Sequence, residues 1–221
     1  MVIDVLTTMA VAGAIVLGLE ALEYGIGWLI SLWGKKPQQM PETLQAELGE
    51  TDREMIRKTQ ELMRQVYGED IVKRYAEANT RERINLTYEF AEQLAKLYGV
   101  DVNIDMYIEE PKKNKPYTFG KIGGNTIILN MYLIDIGERH EDFEDVIKEI
   151  IDTIIHEMRH AVQKKAIEQP GFWDMDDIRR ATWARNLENY IPLRVDFQMY
   201  MRQPLETDAR TFAAEAMKGM V

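Results

Sequence analysis

The chain has 221 residues, enough for one hydrophobic core and an additional segment. Its 37 acidic and 27 basic residues give a formal net charge of -10, so it lacks the basic field that general binding to nucleic acid requires. Cysteine is absent, which excludes disulfides and thiolate ligands, so any bound metal would need nitrogen and oxygen ligands.

Residues 5–33 are almost entirely apolar and are followed by Lys35 and Lys36. The run is about as long as a membrane-spanning helix, and its tryptophans beside the basic pair resemble an interfacial belt, which would place the rest of the chain in the cytoplasm. Glu20 and Glu23 interrupt the run and favour a hydrophobic helix that docks on a partner protein in a larger assembly. Both interpretations stay open.

The domain organisation that follows has three parts. We expect residues 1–36 to form an apolar helical segment that binds a membrane or a hydrophobic partner. Residues 37–51 are polar and contain two prolines, which is typical of a linker. Residues 52–221 form the main domain.

Hydrophobic periodicity predicts two helices at the start of the main domain. The first runs from residue 51 or 52 to Gly68, and the second from residue 79 or 80 to Gly99. Polar caps at their beginnings and glycines at their ends support these bounds.

Alternating apolar and polar residues then predict three strands. They cover residues 102–108, 117–122 and 126–132, and the last two form a hairpin around residues 123–125. We therefore predict an α+β fold in which a small antiparallel or mixed sheet packs on helices. A fully antiparallel sheet with its helices on one side is the economical arrangement.

A helix predicted over residues 142–167 contains the sequence His156-Glu157-Met158-Arg159-His160. Histidines four residues apart lie on one side of a helix, where their ring nitrogens can reach one ion. The glutamate after the first histidine can meet a water bound to that ion. This pattern is the signature of a zinc hydrolase, although a solvated helix face with two histidines is the plain alternative. The isoleucine stripe of this helix predicts that it packs on the sheet, with the histidines at its edge facing a groove.

Catalytic zinc generally has three protein ligands, so a third ligand is needed. The remaining histidine, His140, falls in a predicted loop, and we expect it at the surface. Pro204 can begin a helix on which Glu206, Ala209 and Ala213 share one face. Glu206 is therefore the candidate third ligand.

The two motifs together, His156-Glu157-x-x-His160 and Glu206-x-x-Ala209, resemble the gluzincin type of zincin metallopeptidase. The resemblance extends from the predicted strands to the C-terminus. It implies a zincin-like domain in which His156, His160 and Glu206 bind Zn²⁺ and Glu157 is the general base.

Gluzincins also suggest helper residues. They usually have Asp or Asn directly after the alanine, where this chain has Arg210, so Asp208 stays open as a second carboxylate near the metal or as the ligand itself. Tyr200 lies where related gluzincins often place a tyrosine that stabilises the oxyanion, and Tyr190 and Arg194 are the alternatives. The strand at residues 126–130 resembles the edge strand that aligns an extended peptide.

Residues 169–202 contain Trp173, Trp183, Phe197 and Tyr200 among many charges, and we expect one or two helices here that cover the groove. The leading interpretation of the chain is a zinc-dependent endopeptidase acting on a protein or peptide, held at a membrane or in an assembly. A non-proteolytic component of an assembly, built on the same scaffold, is the alternative. An effector whose protease domain is delivered by the apolar segment is a further one.

Overall fold

The computed structural model describes residues 46–108, 119–132, 134, 143–192 and 195–219. The apolar segment predicted over residues 5–33 lies outside these ranges, as do His140 and Arg194. Among the helices within the ranges, none has both the length and the apolar character that crossing a membrane requires.

Three helices open the domain: α1 (Glu50–Tyr67), α2 (Ile71–Glu77) and α3 (Thr80–Tyr98). The bounds predicted for α3 are confirmed, because Asn79 and Glu82 form a capping box and Gly99 ends the helix at a φ of 67°. In α1, Gly49 is the N-cap, and its backbone N–H donates a 2.8 Å hydrogen bond to the carboxylate of Asp52. Asp52 thus lies inside the first turn, and the predicted cap position was wrong. The short helix α2 was not predicted.

The sheet consists of β1 (Asn103–Tyr107), β2 (Gly120–Gly123) and β3 (Thr126–Asn130), in the order β1-β3-β2. Strands β2 and β3 form the predicted antiparallel hairpin, with Ile122 opposite Ile127. Strand β1 is parallel to β3, so the sheet is mixed and the fully antiparallel arrangement was wrong. Alternation within a strand reports which face is buried and carries no information about the direction of its neighbour.

Strand β3 is the central strand of this sheet, and the prediction of an edge strand at residues 126–130 was therefore wrong. Its residues pair with β1 on one side and with β2 on the other. Ile127 and Leu129 are fully buried, as expected for the middle of a sheet, whereas β1 keeps only partly buried apolar residues. Among the strands that the structure describes, β1 and β2 each have one unpaired edge.

Helix α4 (Phe143–Glu168) runs through the middle of the domain, close to the predicted bounds, and contacts the sheet and several other helices. All its residues from 154 to 162 are buried, so the helix is enclosed on every side at the motif. His156 and His160 lie within this buried stretch, and the groove predicted beside them stays a prediction. The polar face of α4, opposite its apolar stripe, is covered by elements that come later in the chain.

The covering elements are a 3₁₀ turn (Phe172–Asp174), α5 (Asp177–Glu188), α6 (Phe197–Arg202) and α7 (Pro204–Met217). The expectation of one or two helices in residues 169–202 is confirmed by α5 and α6. Pro204 begins α7 as predicted, because a proline at the first helical position loses no hydrogen bond. The fold is α+β, with a small mixed sheet packed against mostly helical structure.

Candidate metal site

Three side chains from two helices converge in the interior. His156 and His160 come from α4 and Glu206 from α7, and all three are at most 5% exposed. The two Nε2 atoms are 2.9 Å apart, and each lies near a Glu206 oxygen, at 3.5 Å for His156 and 3.3 Å for His160. Donors bonded at about 2.0–2.1 Å to a tetrahedral zinc ion would be about 3.3 Å apart. The group could therefore hold a metal ion.

The ionisation of the group follows from its burial and its charges. Burial opposes ionisation of Glu206, but the charge of His160 and hydrogen bonds from both histidines hold its pKa well below the ordinary value. Burial lowers the pKa of His156 to about 4. Burial also acts against a charge on His160, yet Glu206 raises the pKa of that ring to about 9. The pKa values of the two histidines therefore shift in opposite directions, and the Glu206 carboxylate favours the charged form of His160.

Glu157 is on the same helix, at 2% exposure, beside the hairpin. Burial raises the pKa of its carboxyl to about 8, against the charge of His160, while Glu206 adds to the rise. A backbone hydrogen bond with Ile122 of β2 acts in the opposite direction. The edge strand β2 and the candidate base are therefore neighbours.

Glu206 also contacts the side chains that were predicted as helpers. The Tyr190 hydroxyl donates to Glu206 Oε1 at 2.7 Å, and Tyr200, which is buried, is hydrogen bonded to the same carboxylate. The two phenol rings are 6.2 Å apart. Arg210 donates to Glu206 Oε2 at 3.1 Å and to the Met201 carbonyl at 2.8 Å. Arg210 therefore pairs with the candidate ligand Glu206.

Asp208 points away from this group and belongs to a buried four-charge cluster, made of Asp52, Arg159, Arg179 and Asp208. Arg159 Nε donates to Asp208 Oδ2 at 2.7 Å, and Arg159 also pairs with Asp52 at 2.8 Å. Arg179 pairs with Asp52 at 2.6 Å and with Asp208. With both oxygens bonded to guanidinium groups, Asp208 acts as a structural anion, and the alternative that it is the ligand has no support in this geometry.

Sequence reasoning missed the role of Arg159 and also that of Gln163, which contacts His160. One signal was present for Arg159, because it is a charged residue inside a helix whose neighbours are apolar or belong to the motif. A charge in such a run needs a buried partner of opposite sign. Which carboxylates supply it depends on the packing of α1 and α7, and the sequence contains no direct indication of that.

No family model matches the chain, and comparisons with curated proteins and with solved structures likewise find no match.

Proposed function

We propose that the protein is a zinc-dependent metalloendopeptidase in which His156, His160 and Glu206 hold the ion. The observation that carries the proposal is the set of separations, 2.9 to 3.5 Å, between the three buried donors. Two imidazoles and one carboxylate are also a donor set that catalytic zinc takes, with one position left for water. Zinc, when bound, supplies Lewis-acid activation of water and of a carbonyl oxygen.

Glu157 is the general base in this proposal. It follows the first histidine directly and is shielded from solvent, so its carboxyl is held close to the site. A nearby positive charge favours the ionised form of a buried carboxyl. Glu157 takes the proton of the attacking water and delivers it to the leaving amine.

Tyr200 and Tyr190 are the candidates for stabilising the oxyanion that forms during hydrolysis. Both phenols lie at Glu206, next to the two histidines. A phenol O–H that is already in place can donate to negative charge as it develops. The sequence favoured Tyr200 for this role. The 2.7 Å hydrogen bond from Tyr190 to Glu206 supports Tyr190 as a second donor to the oxyanion.

The substrate would lie along β2. This strand pairs with β3 on one side only, and its residue Ile122 is hydrogen bonded to Glu157. An extended peptide can add to such an edge through main-chain hydrogen bonds, which brings its backbone past the base. The substrate class is therefore an unfolded or extended segment of protein.

The first test is zinc content and proteolysis of a degenerate peptide library read by mass spectrometry. We expect one bound zinc per chain, loss of zinc in His156→Ala, and loss of cleavage with zinc retained in Glu157→Gln. His140→Ala is the matched control, since it removes a histidine that we do not assign to the site. A wild-type protein that binds no zinc at low chelator background would end the proposal.

The enclosure of the three donors favours one alternative, a non-proteolytic component of a larger assembly. His156, His160 and Glu206 are 3%, 5% and 0% exposed, and structural zinc sites are closed, with no position left for water. In that case Glu157→Gln would leave the function intact, and deletion of residues 1–36 would abolish assembly. Peptide cleavage by the wild type that is absent from Glu157→Gln would indicate a peptidase and exclude the non-proteolytic component.

A further inference from the structure

Gln163 lies one turn after His160 on α4 and is 1% exposed. Its Oε1 is 2.7 Å from His160 Nδ1. Its Nε2 is 2.9 Å from the Leu205 carbonyl and 2.7 Å from Asp208 Oδ2. The side chain therefore joins the candidate ligand helix α4 to the start of α7.

The partners of the amide nitrogen fix the orientation of the amide. A carbonyl and a carboxylate can only accept, so the donating Nε2 must face them and Oε1 must face His160. His160 Nδ1 then donates to Oε1. This leaves His160 Nε2 directed at His156 and Glu206, from which it is 2.9 and 3.3 Å distant.

Asp208 is itself held in place by the four-charge cluster. Arg159 and Arg179 both bind it, and Arg159, the residue directly before His160, is fully buried. The carboxylate that orients the amide is thus fixed by two guanidinium groups. The chain of contacts runs from the cluster through Gln163 to the ring of His160.

We propose that Gln163 is a positioning residue that presents His160 Nε2 to the metal, and that Asp208 in the four-charge cluster holds Gln163 in the orientation this requires. The inference rests on the proposed zinc site. Partners of this kind orient a ligating histidine and raise its basicity, and their loss typically lowers metal affinity about 10–100-fold.

The test compares Gln163→Met with Gln163→Glu. Methionine has a similar length but offers His160 only a weak acceptor, and we expect zinc affinity to fall about 10–100-fold, measured by competition with a chromophoric chelator. Glutamate keeps an oxygen for His160 but puts a second carboxyl beside Asp208. We expect Gln163→Glu to bind zinc about tenfold or more tighter than Gln163→Met. In the zinc-free state, however, Gln163→Glu should unfold at a lower urea concentration than Gln163→Met.

The two variants would thus rank in opposite orders for zinc affinity and for stability. This result distinguishes a positioning role from a general loss of packing. Thr87→Val is the matched control, because Thr87 is fully buried and bonded to Tyr75 and the Arg83 carbonyl, away from the metal site. It should lose stability and keep the zinc affinity of the wild type.

Equal zinc affinity of wild type and Gln163→Met would overturn the positioning role while the zinc site stands. Affinities that simply follow stability across the variants would overturn it as well. If the wild type binds no zinc, the proposed function fails in the first titration, and the positioning role fails with it. Should Gln163→Met not fold, Gln163→Asn, which withdraws the oxygen by one methylene, serves in its place, with the same loss expected.

Discussion

Replacement of Arg159 by methionine would remove one cation from the four-charge cluster in the interior. Arg159 is fully buried and pairs with Asp208 at 2.7 Å and with Asp52 at 2.8 Å. Its guanidinium also lies 4.6 Å from the ring centre of Phe212 and 5.5 Å from that of Trp183. Methionine retains much of the apolar contact but leaves two carboxylates to share Arg179.

The expected loss is about 3–5 kcal/mol of unfolding free energy, the usual cost of removing one partner of a buried ion pair. The two cations balance the two anions of the cluster, so the variant keeps one uncompensated buried negative charge. For a domain of this size each kcal/mol lowers Tm by about 2–4 °C, which predicts a decrease of about 6–20 °C.

Urea unfolding of chelator-treated protein, followed by circular dichroism, measures this loss without a contribution from bound zinc. The control is Arg159→Met combined with Asp52→Asn, which leaves Arg179 and Asp208 as a balanced pair. We expect the double variant to be more stable than the single one. A loss under about 1 kcal/mol in the single variant, as for an exposed ion pair, would refute the reasoning.

Three further predictions concern pH, packing and metal. Burial opposes ionisation of Asp208, but Arg159 and Arg179 hold its pKa at about 2, below the ordinary aspartate value. The stability that ionised Asp208 contributes, about 2 kcal/mol, is therefore present above about pH 4 and lost as the pH falls to about 2. In urea titrations across this pH range, Asp208→Asn should lose less unfolding free energy than the wild type. A Cβ at Gly120 would lie 2.7 Å from Thr153 Cγ2 and 2.9 Å from Leu129 Cδ2, so Gly120→Ala should cost about 1–3 kcal/mol in urea unfolding, partly recovered by Thr153→Ser. Zinc at 100 times its Kd should stabilise the wild type by about 2.7 kcal/mol in thermal unfolding, and equal stabilisation of Glu206→Ala would contradict the ligand assignment.

Local signals were enough for most of the helices. The Asn79 capping box, the left-handed Gly99 and the isoleucine stripe of α4 involve residues within a few positions of one another, so their meaning does not depend on the rest of the fold. Helix α2 was missed because it is only seven residues long and its apolar pattern covers barely two turns. The roles of zinc, Glu157 and the tyrosines stay predictions.

Long-range pairing accounts for the errors in the sheet. The hairpin of β2 and β3 follows from a short turn at Gly124, whose φ is 61°, but β1 is parallel to a strand that is not its neighbour in the chain. Its direction depends on how the connection crosses the sheet, and this placed β3 in the centre and left β2 at one edge.

The amino-acid sequence by itself determined that His156, Glu157 and His160 share one helix and that Glu206 lies in the first turn of another, because helical periodicity and caps are set by near neighbours. Only the tertiary structure decided that these side chains meet, since the packing of α4 against α7 brings together residues more than 40 positions apart. The same packing placed Asp208 on Arg159, 49 residues away, and left Glu206 to face the histidines. Two carboxylates separated by a single residue point in different directions on a helix, and the surrounding charges determine what each of them contacts.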